Sequence, residues 1–200
     1  MIKKIDALAA DIDMTLTAKG ADMPDIVKEA LRTLHEHGVL LGLATGREID
    51  EKLTHQAEIW NLGYDFDFVI GMNGGMIYDA SDKSLWSTEL MSCEEMKEIL
   101  TYMMPLIEKY GISVNVEGGG NHNAMNIKGE LFASMRRHGF IFVDKTGDVD
   151  GFCDKPSFKF LFRSEPEVEK IVRSTFLERF GDRYQIIGTY PGTVEAMHKI

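Results

Sequence analysis

The chain has 200 residues, 44% of them apolar and 27% charged, with a formal net charge of −10 at pH 7. That length suffices for one large domain or two small ones. The acidic balance argues against nucleic acid as a partner, because such binders carry a basic face. It leaves anionic small molecules open, since a bound cation reverses the local field. No apolar run reaches the roughly 18 residues of a membrane span, so no membrane partner is expected. Asp6 interrupts the stretch where the apolar segment of a signal peptide would run, and a cytoplasmic protein is the expectation. Cys93 and Cys153 have neither metal-like nor redox-like spacing and are expected as reduced thiols.

Residues 5–11 form a short, mostly apolar run suited to a buried parallel strand. Pro24 and Asp25 open a helix, with Ile26, Val27, Ala30, Leu31 and Leu34 at helical spacing and Gly38 as its left-handed stop. Residues 39–44 read as a second strand. Residues 48–60 read as a helix with Ile49, Leu53, Ala57 and Trp60 on one side, and 66–71 as a third strand. This alternation predicts a parallel sheet with right-handed crossovers.

After Gly71 the rhythm changes. Asn73-Gly74-Gly75 marks a turn. Residues 76–79 and 85–88 suggest a hairpin, and 94–110 a long helix closed by Gly111. Strands are expected at 112–116, 140–143, 157–162, 184–188 and 193–197, with a helix at 165–180. Two strands per helix indicate an α+β domain with an antiparallel sheet. Residues 118–123 read as a mobile loop, and Lys155 and Lys159 as solvated lysines.

Chemistry concentrates in Asp11-Ile12-Asp13-Met14-Thr15-Leu16-Thr17. Two carboxylates two positions apart share a side of extended backbone. They stand at the carboxyl end of a strand, where open α/β sheets bind ligands. Like charges so close favour a cation, and Mg²⁺ is the hard ion that accepts one or two carboxylates. Thr45-Gly46-Arg47 ends the second strand. It offers a hydroxyl, a flexible residue and an expected helix start, the makings of a phosphate cradle.

Asp-x-Asp-x-Thr-Leu after an apolar strand resembles the first motif of the haloacid-dehalogenase-like (HAD-like) hydrolases. Thr45-Gly46-Arg47 resembles their second motif, and Asn73-Gly74-Gly75 resembles the turn at which Cof-type members enter a large cap. The resemblance implies an α/β fold, a Rossmann-like parallel-sheet core with an inserted α+β cap. Its segments are core at 1–74, cap at 75–190, and a strand returning toward the core at 191–200. It implies a Mg²⁺-dependent phosphatase of small phosphorylated metabolites, sugar or cofactor phosphates. Asp11 is then the nucleophile, Asp13 the acid and base, and both are metal ligands. Thr45, Gly46, Arg47 and Asn73 bind substrate, and the cap selects it.

Met14 stands where the family most often has Gly. The lysine and the Gly-Asp-x-x-Asn-Asp-like stretch expected after the cap do not occur, which suggests a core incomplete at its C-terminal end. The alternative reading is therefore a truncated or non-catalytic phosphate-binding or regulatory module. A receiver-like phospho-acceptor domain is a third, disfavoured by the large insert.

Overall fold

The structure is a computed structural model that describes residues 4–18, 21–126 and 142–199. Backbone contacts divide the chain into two units, one running to Thr88 and the other from Glu89 to Lys199.

The first unit holds a five-stranded sheet in the order β1 (Ala7–Ala10), β2 (Leu40–Ala44), β3 (Phe68–Gly71), β4 (Met76–Asp79) and β5 (Ser84–Ser87). β1, β2 and β3 are parallel neighbours, with Ala10 opposite Leu43 and Ala44 opposite Ile70. Their carboxyl ends therefore lie side by side. Helix α1 (Asp25–Glu36) starts after Pro24 and ends before Gly38, whose φ of 75° is cheap only for glycine. β1 is an edge strand among the described residues. Its residues alternate between exposed and half-buried, where the sequence suggested burial.

Two further expectations for this unit change. The helix at 48–60 is broken into two single turns, α2 (Glu51–Thr54) and α3 (Gln56–Ile59). Asp50 caps the first, its carboxylate accepting from the Leu53 amide at 2.7 Å. The second difference concerns the boundary placed at 74. The 76–87 hairpin continues the first sheet, because β4 pairs antiparallel with β3 through four consecutive residue pairs.

The second unit holds a six-stranded sheet. Its order is β10 (Tyr184–Tyr190), β11 (Thr193–His198), β9 (Lys159–Arg163), β6 (Ser113–Glu117), β7 (Asn123–Met125) and β8 (Val143–Asp144). β11 is paired on both sides, with β9 and β10. Residues 193–198 thus belong to this sheet, where the sequence suggested a strand returning to the core. Of the strand expected at 140–143, Val143 lies in β8, Phe142 lies outside it, and residues 140 and 141 lie outside the described residues.

The long helix α4 (Cys93–Tyr110) begins with a reciprocal cap between Ser92 and Glu95 and ends at left-handed Gly111. With α5 (Val149–Phe152) and α6 (Glu169–Phe180) it contributes to the apolar core. Met96, Ile99, Met103, Val172 and Phe176 from the helices join Val114, Phe160, Phe162 and Val194 from the strands.

The alternate residues of those strands are mostly polar, with Leu161 and Met197 among them. Lys159 is 3% exposed and lies 3.0 Å from Glu195 and 3.4 Å from Glu117. Arg163 donates to Asn115. The solvated role expected for Lys159 is thereby corrected: strand alternation turns it onto the face that carries both glutamates. Asn121 and Asn123 are also buried, in place of the mobile loop expected at 118–123. The Asn123 side-chain Nδ2 donates to the carbonyls of Gly151 and Phe152 and to Asp154, all within 3.0 Å.

Cys93 and Cys153 are free thiols, and burial pushes Cys153 up to about 12. No helix of the described residues is long and apolar enough to cross a membrane.

Candidate active site

The first-unit residues singled out in the sequence follow the ends of β1, β2 and β3. β1 stops at Ala10, and residues 11–17 wind into a tight loop. Its centre is the Ile12 carbonyl, which accepts from the amides of Thr15, Leu16 and Thr17 at 3.4, 3.1 and 3.0 Å. The Thr17 hydroxyl adds a fourth bond at 3.2 Å. Ile12 and Leu16 are buried and anchor the loop, while Asp11 is exposed and Asp13 half-exposed. Burying the apolar residue between two carboxylates leaves both acids toward water.

The two acids have different partners. Asp11 accepts from the Thr15 hydroxyl at 3.3 Å. Asp13 accepts from Arg47 through both oxygens, with Nη2 at 2.7 Å from Oδ1 and 2.8 Å from Oδ2, and Nε at 3.1 Å from Oδ2. This contact between residues 34 positions apart has no signature in the sequence, where Arg47 reads as a substrate-binding residue of the phosphate cradle.

Met14 adopts φ 63° and is 72% exposed. That conformation is one glycine adopts without penalty, which explains in backbone terms why Gly suits the position. Nothing in the described contacts requires the methionine side chain.

Thr45 is buried, and its hydroxyl accepts from the Arg47 amide at 3.3 Å. Gly46 and Arg47 form a bend, and helix α2 starts only at Glu51. The helix start expected directly at this motif is therefore displaced, and α2 is a single turn. What fixes the loop is the neighbouring turn. The Thr45 amide donates to the Ile70 carbonyl at 2.8 Å, the Met72 amide to the Arg47 carbonyl at 2.9 Å, and the Asn73 amide to the Thr45 carbonyl at 3.3 Å. Gly71 permits this approach, since a Cβ there would lie 2.4 Å from Ile49 Cγ1 and 2.9 Å from the Arg47 carbonyl oxygen. Met72, Asn73 and Gly74 all take positive φ, at 48°, 55° and 97°. Asn73 holds the turn by its backbone.

For a metal, the described residues include no group of three or more His, Cys, Asp or Glu side chains. Asp11 supplies a hard, exposed carboxylate oxygen, which suits Mg²⁺ with water and phosphate oxygens completing its shell. The Asp13 carboxylate is engaged by Arg47, so it serves a cation only after Arg47 lets go.

The family model for haloacid dehalogenase-like hydrolases matches residues 8–200, and the chain belongs to that family. A Streptococcus pyogenes serotype M6 protein carrying a provisional phosphatase name is 24% identical over 204 residues. The match covers 98% of this chain and 71% of that protein. Among solved structures, the HAD subclass IIB sugar phosphatase BT4131 superposes with a TM-score of 0.72 at 20% identity, covering 97% of this chain and 70% of its own. TM0651 from Thermotoga maritima gives 0.70 at 18% identity, over 98% of this chain and 70% of that one. SMU.1108c from Streptococcus mutans UA159 gives 0.75 at 14% identity, over 98% and 71%. At these identities the structures speak for the fold: an α/β architecture with mixed parallel and antiparallel sheets.

Proposed function

We propose that this chain is a Mg²⁺-dependent phosphatase of small phosphorylated metabolites, sugar or cofactor phosphates, acting through a phosphoryl-aspartate at Asp11. The observation that carries this reading is the placement of Asp11. It is an exposed carboxylate directly after a parallel strand, beside a second acid held by an arginine, in a chain of the HAD-like hydrolase family.

In this reading an Asp11 oxygen attacks phosphorus, the bond to the leaving oxygen breaks, and Asp13 gives that oxygen its proton. Asp13 then takes a proton from water as the water oxygen displaces Asp11. Splitting one hard displacement into two easier ones is the gain of covalent catalysis. The Thr45 hydroxyl and the Arg47 guanidinium bind phosphoryl oxygens, with Gly46 and the Asn73 turn shaping the loop around them. The Asp11 carboxylate and the Asp13 backbone oxygen would hold Mg²⁺, whose charge would offset that of the phosphate facing the nucleophile. The sugar phosphatase BT4131 shares the fold and motivates the substrate class.

A second reading, a phosphate-binding module without turnover, is favoured by the lack of a three-ligand metal group among the described residues. Phosphate release from an aryl phosphate and a panel of sugar phosphates separates the two. Wild type and Asp11→Asn are assayed with and without Mg²⁺. Turnover that needs both Mg²⁺ and Asp11 supports the phosphatase. Phosphate binding with no turnover above the variant supports the module.

A further inference from the structure

We propose that Asp13 and the phosphoryl group of a bound ligand compete for the Arg47 guanidinium, which makes Arg47 the group that registers phosphate arrival. The inference rests on reading the 11–17 and 45–49 loops as a phosphate site.

Three observations carry it. First, Arg47 meets Asp13 with its planar fork, Nε and Nη2 both donating to carboxylate oxygens. The same fork fits two oxygens of a phosphate, and those donors cannot serve both anions at once. Second, the pair is open to water, with the Arg47 and Asp13 side chains 51% and 44% exposed. Exposed ion pairs are weak and exchange readily, and a phosphate dianion brings twice the charge of a carboxylate.

Third, the Arg47 backbone is pinned while its side chain is not. Its amide donates to Thr45 and its carbonyl accepts from Met72. Gly71 packs so closely that a Cβ there would meet the Arg47 oxygen at 2.9 Å. Exchange therefore needs only rotation of the Arg47 side chain, with the loop fixed. Asp13 is released from its partner when phosphate is present and held when it is absent.

Calorimetric titration of inorganic phosphate into the full chain tests this, with wild type, Asp13→Asn, Arg47→Ala and the double variant side by side. Removing the competitor should tighten phosphate binding about fivefold in Asp13→Asn, the scale of an exposed ion pair. Arg47→Ala should weaken binding, and the double variant should bind like Arg47→Ala, because the gain runs through the guanidinium. Arg47→Lys keeps the charge without the fork and should fall between wild type and Arg47→Ala. If Asp13→Asn tightens binding equally with and without Arg47, simple removal of negative charge explains the gain and the competition is overturned. No change in Asp13→Asn overturns it as well. Failure of wild type to bind phosphate at all would remove the phosphate-site reading itself, and the competition with it.

Discussion

The guanidinium of Arg47 grips both carboxylate oxygens of Asp13, while Asp11, two residues earlier, meets the hydroxyl of Thr15. Because the ion pair is half-exposed, breaking it should cost less than about 1 kcal/mol of stability. Arg47→Ala is therefore expected to melt within a few degrees of wild type. Its phosphate release should fall about 10²-fold or more, the usual loss when one donor to a developing charge is removed. Thermal melts run beside initial rates check this. A large drop in melting temperature would instead make the pair a structural strut.

Met14 holds a left-handed backbone and leaves its side chain in water. A non-glycine residue there carries a penalty of about 1–2 kcal/mol. Glycine removes it but gains about 0.5–1 kcal/mol of unfolded-state entropy. Met14→Gly should consequently raise stability by about 0.5–1 kcal/mol net, read as a shift of the urea midpoint at unchanged slope. Met14→Val, β-branched, should lower it.

Gly71 is the opposite case, a glycine required by space. Adding one methyl group there drives it into Ile49 Cγ1 and the Arg47 carbonyl. Gly71→Ala should cost about 1–3 kcal/mol, the range for overpacking. Since the carbonyl belongs to the residue that grips Asp13, phosphate release should fall together with stability. Ile49→Ala in the same chain should recover part of the stability, as one of the two clashes disappears. Chemical denaturation of the single and double variants measures this.

Acid sensitivity should centre on Glu95. Burial works to raise its carboxyl, but hydrogen bonds from the Ser92 amide, the Tyr184 hydroxyl and the Ser92 hydroxyl, with the charge of His198, bring it below the ordinary value of 4.5. A folded value below the unfolded one stabilises the protein above pH 4.5, and that contribution is lost as pH falls through the folded value. Wild type should therefore lose stability below about pH 4.5 more steeply than Glu95→Gln. At neutral pH that variant is less stable by about 1 kcal/mol, the scale of hydrogen bonds to a charged acceptor made neutral. Melting temperatures across pH 3–7 for both proteins test the sign.

The parallel strands and the long helices were legible because each carries a local signal. Apolar runs mark β2 and β3, and Gly111 marks the end of α4. The Asp11–Asp13 pair and Thr45-Gly46-Arg47 stand out in the sequence as a candidate site for the same reason. Pairings between distant residues were not. The β4–β5 hairpin has the same local pattern whichever sheet it joins, and only its ladder with Phe68–Gly71 assigns it to the first. The broken helix after Ile49 was hidden because Leu53, Ala57 and Trp60 keep a helical period through the interruption at His55. The Arg47–Asp13 contact depends on two loops brought side by side by parallel strands.

β9 presents Phe160 and Phe162 to an apolar core on one side and Lys159 and Arg163 to glutamates and an asparagine on the other. A slip of one residue along β6 or β11 would turn every side chain of the strand over. The phenylalanines would then face the acids, and two cations would enter the hydrocarbon core unpaired, a loss of several kcal/mol for each charge. The strand is thus locked against sliding from both faces at once. The buried ionic network thereby disfavours a slipped alignment of the strand.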